Sequence, residues 1–547
     1  MPALNGLMME TPLLVISLLE YAARYHGDTE IVSRTIEGPI HRYDYARCLK
    51  RTAQLAHALR SLGIGQGDRV ATVAWNGYRH MELYYAAPGI GAVCHTINPR
   101  LHPDQIDYIV NHAEDRLLFV DLTFVPLIER VAQRLKSVEH FVVMTDAAHM
   151  PKTVLPNALC FEDLVAGRPE TYEWPELDER AAALLCYTSG TTGNPKGVLY
   201  SHRSMMIYAM NICLGKSFGY GPTDVVLPVV PMFHVNAWGI PFGAPLGGSK
   251  LVYPGAKLDA ENLFELLDNE KVTVTAGVPT VWAALIDYMR RTNRRLNSIR
   301  MLAIGGAAAS RAMVDTFERE FGIHVVHGWG MTETSASATD TRLAPQEAAL
   351  PYDDRLLFKT KQGRGRCFVD IKVIGEDGTE LPRDGKSAGE LCVRGPWIAR
   401  GYYNDEAATR AAVDAEGWLH TGDVATIDAR GYIQIVDRKK DMIKSGGEWI
   451  SSIDLENAAC GFPGVAEAAV IARPDPRWGE RPLLVVRPAQ GAKIPPKEIL
   501  KYLADRVARY AVPDEVVFLD EIPHTATGKI AKRVLRQQLI ADKKGAA

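Results

Sequence analysis

The eight cysteines form no Cys-x-x-Cys pair and sit singly at 48, 94, 160, 186, 213, 367, 392 and 460. That scatter argues against a zinc site and against a disulfide framework, and it suits a reducing compartment. No uninterrupted apolar run approaches the ~20 residues of a membrane-spanning helix. Met1–Ile16 lacks the basic start and small-residue cleavage site of a secretory leader, so the expected location is cytoplasmic. Charge of one sign is missing too: a net charge of −3 gives no general pull toward nucleic acid or an acidic membrane. Repeats and low-complexity tracts are also absent.

What remains is a chain of 547 residues, 47% hydrophobic and 23% charged, the composition of an ordinary globular protein. That length exceeds what one core normally serves, so at least two domains are expected. From residue 69 to about 335, short apolar runs alternate with helical periodicity. The runs include Arg69–Trp75, Leu117–Val120, Ala183–Tyr187, Val225–Val230, Met301–Ile304 and His324–His327, and Glu261–Glu270 and Val281–Arg291 carry the helical spacing. Such alternation predicts parallel sheets covered by helices on both faces. Several runs end in glycine-rich or polar clusters, at Thr188–Gly193, Pro231–Asn236, Gly305–Ala309 and Gly328–Thr334. Ligands of open α/β sheets bind beyond the carboxyl ends of strands, so these clusters point to one shared cleft.

After about residue 340 the texture changes to short, turn-separated strands without helices between them, which predicts a small β-barrel or sandwich. The charge cluster Asp437–Asp441 then precedes Gly446 and Gly447, and mixed α/β patterning follows. The fold class expected is α/β. A large N-terminal domain (1–436) holds two helix-covered, mostly parallel sheets and a β-barrel subdomain at about 343–436. A hinge lies at 437–441, and a small mobile α+β domain occupies 442–547.

The segment Tyr187–Gly197 is the densest local signal: three glycines, four hydroxyls and one lysine directly after an apolar run. Glycine lets backbone N–H groups turn inward around a polyphosphate, and hydroxyls and a lysine add donors and positive charge. The spacing is not that of kinases and GTPases, because Lys196 stands three residues after Gly193 and is itself followed by glycine. It reads as a phosphate loop of another kind.

Six segments in order resemble the adenylate-forming superfamily of acyl-CoA synthetases, peptide-synthetase adenylation domains and firefly-type luciferases. They are Tyr187–Gly197, Pro231–His234, Gly328–Thr334, Thr421–Asp423, Asp437–Ser451 and Thr527–Ile530, and the likeness covers essentially the whole chain. The resemblance implies two half-reactions. A carboxylate attacks the α-phosphate of ATP, giving an acyl-adenylate and pyrophosphate, and a thiol then displaces AMP. These steps depend on charge neutralisation and in-line alignment.

Roles follow residue by residue from the same resemblance. Thr188, Ser189, Gly190, Thr191, Thr192, Gly193 and Lys196 would hold the β- and γ-phosphates. Thr188 and Glu333 match magnesium ligands, hard oxygen donors for a hard cation. Asp423 matches the carboxylate that accepts the ribose hydroxyls, and Arg438 the side chain that donates to them. Gly306, Ala307 and Ala308 match the adenine-side wall, with Gly328, Gly330, Met331 and Thr332 in the neighbouring nucleotide segment. Trp329 stands where the family often has tyrosine, and offers a flat π face. His234 would align the carboxylate or α-phosphate. Lys529 would stabilise the transition state of adenylation. Asp437 matches the hinge that swings Lys529 out and brings Lys444, Gly446, Gly447 and Trp449 to the pantetheine arm of coenzyme A.

For the acceptor, the chain's end soon after Arg533 favours CoA over a fused carrier domain. For the acid, His234–Gly239 resembles both bacterial medium- and long-chain fatty-acid–CoA ligases and 3-methylmercaptopropionate–CoA ligases. The acyl wall expected from Val235, Trp238, Gly239 and Gly305 shows no charge, which predicts an apolar tail. Gly239 and Gly330 are expected to leave room for a chain rather than a ring. Ser335–Arg342 and Gln362–Cys367 depart from the usual fatty-acid pattern. A luciferase-like oxygenase and a non-catalytic acyl or nucleotide sensor are the competing readings. The presence of Lys196, Glu333, Asp423 and Lys529 disfavours the sensor. Carboxylic acid, ATP and CoA are the expected partners with Mg2+ as cofactor, nucleic acid is not, and a homodimer stays open.

Overall fold

The computed structural model describes residues 4, 6–188, 194–215, 217–446, 448–489, 491–525 and 529–541. They fall into two compact units. The first comprises described residues of Met1–Thr188, Asn194–Ala256 and Tyr402–Asn404, and the second those of Lys257–Gly401 and Asp405–Ala547.

In the first unit one sheet runs in the order Ala158–Cys160, His140–Val143, Asp115–Val120, Arg69–Val73, Val93–Thr96, Ala182–Tyr187, Gly197–Ser201. All neighbours are parallel except the last pair. Strand Asp115–Val120 is buried almost throughout, as expected of a parallel strand covered on both faces. Helix Pro103–Ala113 has proline in its first turn and Glu114 in the left-handed region (φ 53°) at its end. Its Ile106, Ile109 and Val110 lie on one face and pack with Leu118, Val120 and Phe141 of the sheet. A second group of strands places Glu30–Arg34 between antiparallel Ile40–Asp44 and parallel Lys250–Tyr253, which pairs in turn with Val225–Pro228.

In the second unit Met301–Ile304 lies between Val274–Gly277 and His324–His327, all parallel. The helices Ala260–Asn269 and Pro279–Thr292 stand where helical spacing placed them. The strands expected to form a barrel or sandwich instead make a four-stranded antiparallel sheet in sequence order: Asp370–Ile374, Gly389–Arg394, Leu419–Ile427, Ile433–Arg438. Helices Tyr352–Thr360 and Glu406–Ala412 fall in this region, where none was expected. Their short apolar stripes, broken by charge, look like turns in the sequence.

The C-terminal part of this unit has a five-stranded sheet built on the long antiparallel pair Val465–Asp475 and Gly479–Pro488. Its core gathers Val470, Leu484, Val486, Ile499 and Leu503. Among the described residues no helix is long and apolar enough to cross a membrane.

Candidate active site

Strand Ala182–Tyr187 pairs antiparallel with the next strand, Gly197–Ser201. The Thr188 N–H donates to the Lys196 carbonyl at 2.9 Å, and the Lys196 N–H reaches the Thr188 hydroxyl at 3.4 Å. Ser189, Gly190, Thr191, Thr192 and Gly193 lie outside the described residues.

Also in the first unit, His234 precedes four consecutive non-glycine residues with positive φ: Val235 (45°), Asn236 (53°), Ala237 (48°) and Trp238 (55°). Gly239 follows at φ 73°. A left-handed turn costs L-residues about 1–2 kcal/mol each, and such strain concentrates at functional sites. Gly239 does not open a space. A Cβ there would come within 2.4 Å of the Tyr208 ring, and one at Gly243 within 2.5 Å of Ile212. Helix His202–Cys213, which supplies both side chains, presses directly on this wall, and the Tyr208 hydroxyl donates to the Trp238 carbonyl at 3.3 Å. The expectation that glycine leaves room is therefore corrected here: glycine permits close packing.

The same correction applies in the second unit, where a Cβ on Gly330 would fall 1.8 Å from the Ala336 carbonyl oxygen. Gly328, Trp329, Gly330 and Met331 leave strand His324–His327 and enter the short turn Thr332–Thr334. Glu333 in that turn is buried, and its carbonyl accepts the Ala399 N–H at 2.7 Å. Gly305 and Gly306, with Ala307 and Ala308, follow strand Met301–Ile304, and Gly306 adopts φ 79°, a left-handed backbone that glycine allows at no steric cost.

Asp423 is buried at the bulge of strand Leu419–Ile427. The Trp329 indole N–H donates to its Oδ2 at 2.7 Å, and Arg438 Nε lies 2.5 Å from its Oδ1. The sequence offered Trp329 as a π face and gave no sign that its N–H would hold the carboxylate. Each Asp423 oxygen keeps a second lone pair, enough to accept a hydroxyl from a ligand as well.

Lys529 belongs to this constellation. Its N–H donates to the Thr525 hydroxyl at 3.2 Å, and the Thr525 N–H to its carbonyl at 2.6 Å. Thr527 and Gly528 lie outside the described residues. Burial, then the charge of Arg438, pulls the Lys529 ammonium down to about 8, opposed by Asp423 and Glu333, with Lys440 lowering it further. A lysine, two carboxylates and an arginine thus share one electrostatic neighbourhood. Lys440 is a member that sequence reasoning missed, hidden in a run of like charges.

Asp437 is buried beside Arg438. Its Oδ2 accepts from the Ser452 N–H at 2.7 Å and the Ser452 hydroxyl at 2.5 Å. Burial pushes its carboxyl upward, and Lys532 counters this. Lys532 also binds Glu456 at 2.8 Å and the Ser452 hydroxyl, and Arg536 binds Asp441 at 2.7 Å. None of Ser452, Glu456 and Lys532 carried a sequence signal.

Lys444 lies on strand Ile443–Ser445, which pairs antiparallel with Glu448–Ile450, and its ammonium is 5.0 Å from the ring centre of the half-exposed Trp449. Gly446, at φ 59°, packs where a Cβ would meet Trp478 at 2.7 Å, and its N–H donates to the Trp478 carbonyl. Gly447 lies outside the described residues.

Residues 19–403 match the AMP-binding enzyme family, and residues 454–529 match the AMP-binding enzyme C-terminal domain. The chain is 47% identical to a long-chain-fatty-acid–CoA ligase of Thermus thermophilus, covering 98% of each chain. It is 45% identical to a 3-methylmercaptopropionyl-CoA ligase of Ruegeria lacuscaerulensis, over 97% of this chain and 98% of the relative. A crystal structure of an anthranilate CoA ligase with anthranoyl-AMP superposes with a TM-score of 0.87 at 25% identity, covering 98% of this chain and 99% of that one.

Proposed function

This chain belongs to the AMP-binding enzyme family, and from that premise we propose that it is an ATP-dependent, AMP-forming acid–CoA ligase acting on an aliphatic acid. The observation that carries the reading is the grouping of Lys529, Glu333, Asp423 and Arg438. Asp423 and Arg438 hold the ribose. The Lys529 ammonium meets the α-phosphate and the attacking carboxylate, where negative charge accumulates as the acid oxygen bonds phosphorus and pyrophosphate leaves.

Thr188, Lys196 and the loop between them take the pyrophosphate end. Among the described residues no group of three or more acidic, histidine or cysteine side chains could hold a metal. Glu333, a buried carboxylate, and Thr188, a hydroxyl, are each a hard oxygen donor of the kind magnesium takes, and that ion would keep water and phosphate oxygens as other ligands. When bound it supplies charge neutralisation to the phosphates.

The hinge is placed at Asp437–Asp441, with the mobile domain 442–547 after it. Rotation there withdraws Lys529 and presents the Lys444–Trp449 segment to CoA, a gate between the two half-reactions. The test is Lys529→Ala assayed on each half separately. Adenylate formation should vanish, while CoA attack on supplied acyl-adenylate should stay near the wild-type rate. Equal loss in both halves would sink the two-arrangement reading.

A fatty acid of medium to long chain is the first choice of substrate, supported by the uncharged wall Val235–Gly239 and by the Thermus relative. The second reading is 3-methylmercaptopropionate, favoured by the Ruegeria relative and by Tyr208 and Ile212 filling the spaces beside Gly239 and Gly243. AMP release across 3-methylmercaptopropionate, octanoate, palmitate and cinnamate separates them. Preference for cinnamate overturns both.

A further inference from the structure

We propose that Tyr402 and the Tyr187–His112 pair are positioning residues that fix the two ends of the phosphate loop and hold Lys196 ready for ATP. The inference rests on the reading above that Lys196 meets the polyphosphate. A lysine whose backbone and side chain are already set before ATP arrives has less freedom to lose on binding, so nucleotide affinity depends on how firmly it is held.

The incoming end is set by Tyr187, the last residue of its strand. Its hydroxyl pairs with His112 Nδ1 at 2.7 Å. The His112 ring is held by stacking on Tyr108, one turn earlier in helix Pro103–Ala113, with centroids 5.2 Å apart and planes at 27°. The Tyr187 ring also lies 5.1 Å from His95, whose Nδ1 is pinned 2.8 Å from the Asp115 carboxylate in a fully buried pair. Both ends of the phenol are thereby fixed, by an imidazole at the hydroxyl and by another at the ring.

The outgoing end is set by a segment distant in sequence. Tyr403 forms an antiparallel bridge with Gly197, and its N–H donates to the Gly197 carbonyl at 2.8 Å. A Cβ on Gly197 would lie 3.1 Å from the Tyr187 ring and 3.2 Å from Tyr403 Cβ, so the three are closely packed here. Next to this bridge the Lys196 ammonium lies over the Tyr402 ring, 4.9 Å from its centre. That cation–π contact keeps the charge at the mouth of the loop instead of in solvent. These side chains therefore act on the loop, and through it on ATP.

Steady-state pyrophosphate release by the full-length enzyme tests this, with ATP and acid varied separately. Tyr402→Leu should raise KM for ATP about threefold and leave KM for the acid and kcat within about twofold, and Tyr402→Phe, which keeps the ring, should match wild type. Tyr187→Phe and His112→Leu should each raise KM for ATP about fivefold, and the double variant should be no worse than either single, because both remove one hydrogen bond. Lys196→Met serves as the reference. If it leaves KM for ATP unchanged, the assignment of the loop itself fails. If it raises KM but Tyr402→Leu and Tyr187→Phe do not, the positioning role is overturned. It is equally overturned if these variants raise both KM values together, because that pattern marks a general loss of structure. Tyr187→Phe deletes one oxygen and keeps the ring, so it remains informative if a larger change fails to fold.

Discussion

Raising the pH of the adenylating half-reaction from 7 to 9 should lower kcat/KM for ATP about tenfold. The perturbation acts on Lys529, whose ammonium is pulled to about 8 by burial and by Arg438 against the pull of Asp423 and Glu333. A group titrating there is about nine-tenths protonated at pH 7, half at pH 8 and about one-tenth at pH 9. In the role proposed for Lys529 only the protonated form can neutralise charge growing on the α-phosphate, so activity should follow that fraction. The quantity to measure is kcat/KM, because it reports groups of the free enzyme, whereas bound triphosphate would raise the lysine in the complex.

CoA must be left out, since a thiol titrates at about 8.5 and would bend the same profile. Adenylate formation in a single turnover, or exchange of labelled pyrophosphate into ATP, meets that condition. Lys529→Arg, which stays charged across the range, should give a flat profile at whatever rate it retains. The folded value of Lys529 lies below that of a free lysine, so between about 8 and about 10.4 the unfolded chain binds more protons. The contribution of this group to stability therefore rises with pH through the window in which activity falls. A wild-type profile flat to about pH 9.5, or a Lys529→Arg profile with the same midpoint as wild type, would refute the reasoning.

Trp329→Phe removes the N–H that holds Asp423. A charge-assisted bond of this kind is worth about 1.5–3 kcal/mol, so AMP affinity by calorimetry should drop about tenfold or more, and a change under twofold would contradict the role. Gly239→Ala puts a methyl into the Tyr208 ring at a left-handed position, and urea unfolding should register a loss of about 2–4 kcal/mol, partly recovered when Tyr208→Ala is added. Lys532→Met leaves Glu456 buried without its cation, with an expected cost of about 3–5 kcal/mol in the same assay, and an unchanged midpoint would mean that the pair contributes nothing.

The strands and helices of the parallel sheets were legible because period and length together separate the two. Met301–Ile304 and His324–His327 fall at the bounds read from apolar runs. Residues 343–436 were harder. Short strands of alternating polarity fit a barrel, a sandwich or an open sheet equally, and closure depends on pairing partners that no local pattern specifies. Lys529, Asp423 and Glu333, each carried by a motif, were legible as a group, and the structure brings them into one electrostatic neighbourhood. What holds them was not. Trp329 on Asp423, Tyr402 on Lys196, and Ser452 on Asp437 join positions far apart in the sequence. A side chain that supports another needs only a donor or a ring at the right place, and many residue types supply that.

The glycines show the same division from the other side. A glycine in a sequence states that no side chain is present, and it was natural to read Gly239 and Gly330 as space for an acyl chain. A missing side chain permits either a ligand or a neighbour to approach, and close packing favours the neighbour wherever one can reach. Here Tyr208 reaches Gly239, Ile212 reaches Gly243, and the Ala336 backbone reaches Gly330. Any room for the acid beside the strained turn Val235–Trp238 must then be set by what helix His202–Cys213 presents to it. On the reading proposed above, the stretch Val235–Gly239, which has no charged side chain, is compatible with either a long fatty acid or a short thioether acid. On that reading the choice in the first unit would fall to residues such as Tyr208 and Ile212, which carry no chemistry and belong to no motif.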